Sequence, residues 1–448
     1  MAASDTLDVA DLVDRSRLGA FQVGLLALCG LCLVMDGFDV QAMGYVAPAI
    51  IDDWHVSKAS LGPVFGAGLL GMLVGSLTLG AVADRVGRRP VLIAATIFFA
   101  SCMFATTLAR SVDQLLALRL VTGFGLGGIM PNAMALAGEY SPARVRVTMM
   151  MLVSCGFTVG AALGGLVSAA LIASFGWRSV FAFGGAVPLG IAVVMFLYLP
   201  ESIPFLVLEG RKLDRARRWL GRIDPSCQAT PGVALRVREP AGKGLTAIQL
   251  FHDGRATKTI LLWIVNFMNL MNLYFLSSWL PTVLKDGGFT TSRAVLAGTL
   301  LQVGGVVGTL ALGRLLDWRG FGVLVACFVV ASAAIVAIGQ GRGSPLLLAA
   351  IFVAGFCVIG GQPAVNALAA SSYPTALRST GIGWSLGIGR FGSILGPVLG
   401  GHLIGLGWSS SSLFMASAAP AAVSAATTFA LVHRRKQTVS GLRAPARA

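Results

Sequence analysis

Charge is what this sequence has least of. Asp, Glu, Lys and Arg together make up 12% of the chain while 56% of it is hydrophobic, a balance that excludes an ordinary water-soluble domain. Histidine is as scarce: the four are scattered and offer no metal-ligand spacing. No G-x-x-x-x-G-K-[ST] stretch occurs, so no ATP site is implied. No nucleophile stands with a base in a pattern that suggests an enzyme. The start, Met1 to Asp14, carries four Asp and no Lys or Arg, so it lacks the basic region of a cleaved signal peptide and is expected to stay cytoplasmic. Of the seven cysteines, six fall in apolar segments and Cys227 in a polar one, which is not a disulfide framework. Cys29 and Cys32 form a C-x-x-C inside an apolar run, where they read as small buried residues rather than a redox pair.

What the sequence has instead is apolar runs long enough to cross a bilayer. Twelve can be drawn, over 19–51, 59–83, 90–109, 112–139, 146–174, 178–200, 257–284, 291–316, 321–340, 345–371, 380–406 and 410–433. Placing both termini in the cytoplasm puts Arg85, Arg88, Arg89, Arg144, Arg146, Arg314, Arg319, Arg378, eleven Lys/Arg between Arg211 and Lys258, and the tail Arg434-Arg435-Lys436 on that side. The other side keeps Lys58, Arg110, Arg178, Lys285, Arg293 and Arg342, so the bias orients the chain. The net charge of +15 therefore reads as loop asymmetry, not as a nucleic-acid surface. The single long polar connection suggests an all-α membrane protein of two six-helix bundles, 1–200 and 257–448, joined by a cytoplasmic segment 201–256. Within that segment the basic run from Arg211 to Arg218 reads as an amphipathic helix at the inner leaflet.

The two halves repeat. A shift of 233 places Pro48 on Pro281, Gly71 on Gly304, Gly75 on Gly308, Gly80 on Gly313 and Asp84 on Asp317. A shift of 232 places Gly123-Phe124 on Gly355-Phe356, Pro131 on Pro363, Arg146 on Arg378 and Gly160 on Gly392. Parallel repeats of this kind predict a substrate path between the halves near the midplane. The same register places Asp36 on Asn269, Asp39 on Asn272 and Arg119 on Ile351. One half keeps acids where the other keeps amides, which suggests proton handling in the first half and fixed hydrogen-bonding groups, Asn266, Asn269 and Asn272, in the second.

Asp36 and Asp39 stand three residues apart on one helix face. An ionised carboxylate at the bilayer centre costs at least about 2.5 kcal/mol, so such acids mark an ion or substrate path or a structural pair with a neighbouring helix. Desolvation and a neighbouring acid both favour proton uptake by such a pair. Arg390 lies 12 residues beyond Arg378, roughly 18 Å along a helix and near the midplane. Its planar guanidinium suits bidentate binding of a carboxylate, with a salt bridge to Asp36 or Asp39 as the other reading. Arg119 reads first as the counter-ion of those acids and second as a substrate ligand. Gln41, Tyr45 and Trp384 complete the candidate substrate set, with core or lipid packing open for Tyr45 and Trp384, as for Trp279. Glycines at Gly156, Gly160 and Gly164 and at Gly392, Gly396 and Gly400 predict close helix contacts.

Between the second and third spans runs Gly80-Ala81-Val82-Ala83-Asp84-Arg85-Val86-Gly87-Arg88-Arg89-Pro90. Asp84 and Asp317 are expected to pair with Arg378 and Arg146, and Glu139 to join Arg144 and Glu201, as an inner-face charge latch.

This motif, echoed in the second half, resembles the signature of the major facilitator superfamily across nearly the whole chain. Asp36-Gly37-Phe38-Asp39, Gly123-Phe124-Gly125-Leu126-Gly127-Gly128 with Pro131-Asn132, Pro200-Glu201-Ser202, and Leu386-Gly387-Ile388-Gly389-Arg390-Phe391-Gly392 together resemble its aromatic acid:proton symporter family. The resemblance implies benzoate-like anions as substrates and a transport role for Asp36 and Asp39. Some members of that family carry a His after the second-half Asp; here the run is Asp317-Trp318-Arg319-Gly320-Phe321-Gly322, so no His role carries over. The expectation is a monomeric inner-membrane symporter taking a small aromatic carboxylate with protons, needing no cofactor. A drug:proton exporter of the same superfamily and a membrane receptor for aromatic acids are the alternatives.

Overall fold

In hydrocarbon every backbone N–H and C=O must be satisfied within the segment, so long apolar runs can only become helices. The computed structural model follows that rule. It describes residues 6–209, 213–223, 234–236, 247–252, 254–341, 345–373 and 377–441. Arg211, Lys212, Cys227, Arg342 and the side chains of Arg434, Arg435 and Lys436 lie outside that set.

In chain order the elements are β1 (Thr6–Asp8), α1 (Val9–Arg15), α2 (Ala20–Trp54), α3 (Leu61–Val86), α4 (Arg88–Thr107), α5 (Val112–Gly127), α6 (Ile129–Glu139), α7 (Arg146–Phe175), α8 (Arg178–Tyr198), α9 (Ile203–Glu209) and α10 (Leu213–Ile223). There follow β2 (Ala234–Arg236), α11 (Ala256–Asp286), α12 (Thr291–Arg319), α13 (Gly322–Gln340), α14 (Pro345–Val358), α15 (Gly361–Ser372), α16 (Arg378–Gly405) and α17 (Ser410–Gly441). Eleven helical stretches among the described residues are long and apolar enough to cross a membrane. The twelfth span is α16, a helix of 28 residues that carries Arg390 within it. Side chains such as Leu77, Leu163, Val193, Leu310 and Phe429 stay exposed along the spans, as a lipid solvent allows.

Two of the runs that read as single helices are each broken once. The fourth span divides into α5 and α6 at Gly128, and the tenth into α14 and α15 around Gly360. Gly128 and Gly360 are mates under the 232-residue shift, and each is followed three residues later by a proline, Pro131 and Pro363. A proline has no N–H to donate back one turn, so the ladder lapses there in both halves. A second departure is a short parallel pairing of β1 with β2, which ties the chain start to the connecting segment.

The described helices gather into two compact units. One comprises 1–40, 70–161 and 178–241; the other comprises 41–69, 162–177 and 242–448. In the second unit the late part of α2, the first turns of α3 and the end of α7 pack with the later helices. There a Cβ on Gly62 would meet Gly401 and Pro397, and one on Gly66 would meet Val398 and Ile394. Trp279, fully buried, meets the Phe65 ring edge-on at 5.1 Å and donates its indole N–H to the Pro397 carbonyl at 2.9 Å. It is a packing residue.

Candidate functional site

In the first unit the site is built on α2. Asp36 and Asp39 are buried, at 0% and 3% exposure. Gly37 between them has no room for a side chain: a Cβ there would collide with the Phe157 carbonyl, and one on Gly160 would collide with that of Val34. These glycines bring α7 against the α2 backbone and leave the acids no space on that side. Arg119 reaches Asp39 from α5, a helix started by Ser111, whose side chain accepts the Gln114 backbone N–H.

Arg119 is buried and its Nη1 donates to Asp39 Oδ1 at 3.1 Å. Its Nη2 donates to Thr106 Oγ1 and Thr122 Oγ1, both at 3.4 Å. Those two hydroxyls give their own hydrogens to the carbonyls of Cys102 and Leu118, so their lone pairs are what faces the guanidinium. The Phe181 ring lies under the guanidinium, with Cζ 5.0 Å from its centroid. A carboxylate, two hydroxyls and a ring face thus surround the cation, which makes Arg119 the counter-ion of Asp39.

At the loop end of the same unit, Gly87 adopts φ 104° immediately before α4, in the region that favours glycine. A Cβ on it would also meet the Glu201 carboxylate. Glu201 Oε1 accepts the backbone N–H groups of Arg88 at 2.9 Å, Arg89 at 3.1 Å and Ser202 at 2.8 Å. An acid thereby caps the α4 N-terminus, where unpaired N–H groups and the helix dipole favour negative charge. The Arg88 side chain pairs with Glu139. Tyr140 donates its hydroxyl to the Glu201 carbonyl at 2.6 Å. Burial, with Glu139 and Glu201 nearby, pushes the Tyr140 phenol well up, which keeps it protonated as a donor.

The expected latch is partly redrawn. Glu139 is held by Arg88, not Arg144, which is exposed and has no ion pair among the described residues. Arg146 is engaged by Asp14, with its Nε on the Gly138 and Ser141 carbonyls, rather than by an acid of the repeated motif. Asp84 and Arg85 are exposed and Gly80 faces open space. In the second unit Asp317 and Arg378 are exposed, and neither has an ion pair among the described residues. Asp14 could not be foreseen as a partner, because a terminal acid carries no spacing signal.

The second unit holds a chain of amides. Asn269 donates to Gln362 Oε1 at 2.7 Å and to the Val358 carbonyl at 3.1 Å. Gln362 donates to Asn266 Oδ1 at 2.9 Å, and Asn266 donates to Ser385 Oγ at 2.5 Å. The network joins α11, α15 and α16. Sequence reading missed Gln362 and Ser385, which are unremarkable in the chain until folding places them opposite the asparagines. Asn272 does not belong to it. Six residues from Asn266, it is turned about 120° round α11, is buried, and has neither amide atom paired among the described residues. It lines an apolar cavity of about 330 Å³ with Met268, Phe275 and Leu399. The three asparagines therefore do not form one ladder.

Arg390 sits one helical turn before Ile394, on the side of α16 that meets Gly62 and Gly66. It is half-buried, and its guanidinium has no partner among the described residues. Trp384 is not beside it: six residues earlier and about 120° round the helix, it stacks on Trp263 with centroids 6.0 Å apart. Tyr45 is enclosed, with Val295, Ala169 and Ile172 about it and Gly165 and Gly298 against its ring. Gln41 is buried in α2.

The comparisons with known proteins are consistent along the chain. The model of the Major Facilitator Superfamily matches residues 29–341 and 262–447. The 4-hydroxybenzoate transporter PcaK of Pseudomonas putida is 41% identical over 423 residues, covering 93% of this chain and 94% of its own. A gallate transporter of the same organism is 38% identical over 442 residues, with 98% of each chain covered. Among solved structures, the xylose transporter XylE from E. coli superposes with a TM-score of 0.72 at 15% identity, over 92% of this chain and 96% of that one, which speaks to the fold.

Proposed function

The chain belongs to the major facilitator superfamily as an aromatic acid permease and is a transporter rather than an enzyme; from that premise we propose that it imports an aromatic carboxylate together with protons. The substrate class is a hydroxylated benzoate, as in the relatives named for 4-hydroxybenzoate and gallate. The observation that carries the reading is the contrast between Arg119 and Arg390, two arginines that lie well inside their spans. Arg119 is neutralised by Asp39, whereas Arg390 is half-buried with no partner among the described residues. A guanidinium in a membrane span is costly unless an anion meets it, and a carboxylate matches its planar fork.

In this reading Arg390 takes the carboxylate, and the Asn266–Gln362–Asn269 network offers hydrogen bonds to ring hydroxyls. Asp36 and Asp39 carry the proton. When Asp39 is protonated its hold on Arg119 weakens, and loss of the proton restores it, so the pair has two states that a proton gradient can drive. The chain works as a monomer in a bacterial-type inner membrane, with halves 1–200 and 257–448 joined by 201–256 and both termini cytoplasmic. It requires no bound cofactor.

Uptake of labelled 4-hydroxybenzoate into vesicles holding the purified protein tests this. Accumulation should follow an imposed inward proton gradient, vanish in Arg390→Gln and become gradient-independent in Asp36→Asn. Uptake that ignores the gradient, or full accumulation by Asp36→Asn, would defeat the proton-coupled reading. Efflux against the acid gradient would favour export.

A further inference from the structure

A charged cavity lies in the first unit, lined by α4, α8, α9 and α10 residues. It has a volume of about 620 Å³ and is walled by four arginines, Arg89, Arg215, Arg218 and Arg222, against one carboxylate, Glu201. The Glu201 Oε1 already takes three backbone N–H groups at the α4 cap. The cavity therefore carries an excess of positive charge that its own wall does not neutralise.

The sequence builds it through α10. Arg215, Arg218 and Arg222 are spaced three and four apart, so they share one helix face, while Ala216 and Leu220 are buried on another. Trp219 fixes the helix to the start of α2 by stacking on Phe21 at 5.6 Å and 10°, with the Arg222 Cζ 4.9 Å from the Trp219 ring centroid. Arg89 reaches the same space from α4. Its Nη2 is on the Phe196 carbonyl, and its Nε is buried with no partner among the described residues. Arg215, Arg218 and Arg222 are exposed and Arg89 is half-buried, so water and salt moderate the repulsion among the four, and an anion seated between them relieves what remains.

We infer that this cavity binds the phosphodiester headgroup of an anionic phospholipid from the adjoining leaflet. Phosphate is the anion whose geometry several guanidinium groups meet with paired N–H bonds. The lipid source is argued from the rim, which includes Val86 and Leu197, apolar side chains 53% and 65% exposed, next to Phe196 and Tyr198, which are exposed as well. Acyl chains have an apolar path beside the headgroup, which free phosphate does not need. The bound lipid would tie α10 to the start of α4 and the end of α8. The inference does not depend on which acid is carried.

The test is lipid retention by the purified full chain, read by native mass spectrometry after exchange from mixed phosphatidylglycerol and phosphatidylcholine. Wild type should retain phosphatidylglycerol preferentially, and millimolar inorganic phosphate should not displace it. The triple variant R215Q/R218Q/R222Q should lose that preference by roughly a hundredfold, since each basic residue near the surface is worth about 1 kcal/mol. R215K/R218K/R222K, which keeps the charge but not the paired N–H bonds, should keep a weaker preference, and it decides the matter if the Gln variant does not fold, through its loss of that preference at high salt. Equal retention of phosphatidylcholine by wild type, an unchanged preference in the Gln variant, or a salt-insensitive preference in the Lys variant would overturn the site. Displacement of lipid by inorganic phosphate would overturn the lipid assignment.

Discussion

Arg119 and Asp39 occupy a position that the second half of the chain repeats without charge. Under the shifts that align the halves, Asp39 meets Asn272 and Arg119 meets Ile351. The structure gives the consequence: Asp39 has a guanidinium at 3.1 Å, while both amide atoms of Asn272 lack partners among the described residues. Losing one member of a buried pair strands the other. Arg119→Gln should therefore destabilise the protein by about 3 kcal/mol. The double variant Arg119→Gln/Asp39→Asn should recover most of that loss, seen as the return of the apparent melting temperature in detergent. An additive double variant would mean that the two side chains are not energetically coupled. That the acids matter was legible in the sequence, because charge in an apolar run has few neutral explanations. Which group met which acid was not, because Arg119 is 80 residues from Asp39.

At the scale of elements, the turn between α3 and α4 shows how a motif can be legible and its work obscure. The Gly87 and Pro90 positions announce a chain reversal and a helix start. The cap itself is supplied from far along the chain, by Glu201 on the backbone of Arg88 and Arg89. Glu201→Ala should cost about 1 to 2 kcal/mol through the uncapped N–H groups, and Gly87→Ala about 1 to 2 kcal/mol through its left-handed φ. Both should appear as lower thermal stability and faster amide exchange in the first turn of α4; unchanged exchange there would refute the capping role. The breaks at Gly128 and Gly360 belong to the same scale. Twenty-odd apolar residues announce a span, but whether its ladder lapses in the middle depends on how a proline and the neighbouring backbones are accommodated.

At the scale of the molecule, the second unit carries two cross-links, one of them between repeat mates. Asp52 and Lys285 are mates under the 233-residue shift and form an ion pair, and the Lys285 ammonium also donates to the Pro48 carbonyl at 3.0 Å. Lys58 pairs with Asp286 at 2.6 Å. These bonds fasten the end of α2 and the turn before α3 to the end of α11. Exposed pairs are weak and sensitive to salt. Lys58→Ala/Lys285→Ala should thus raise hydrogen exchange across residues 52–62 only about fivefold, the effect of roughly 1 kcal/mol, and high salt should produce the same rise in wild type. Exchange unaltered by either change would show that the glycine contacts and Trp279 hold this seam alone.

By itself the sequence determined that the chain crosses a membrane, how many times, where it repeats and which charges within the spans need an explanation. Those conclusions follow from hydrocarbon's intolerance of unpaired polar groups, a condition that acts on each segment locally. Only the tertiary structure decided the partners: Asp39 with Arg119, Glu139 with Arg88, Arg146 with Asp14, and Asn266 with Ser385 and Gln362. It also separated Asn272 from the network and left Arg390 with no partner among the described residues. Partner choice depends on helix rotation and on how closely neighbouring backbones approach, and these are set by packing summed over many residues rather than by any stretch of the chain.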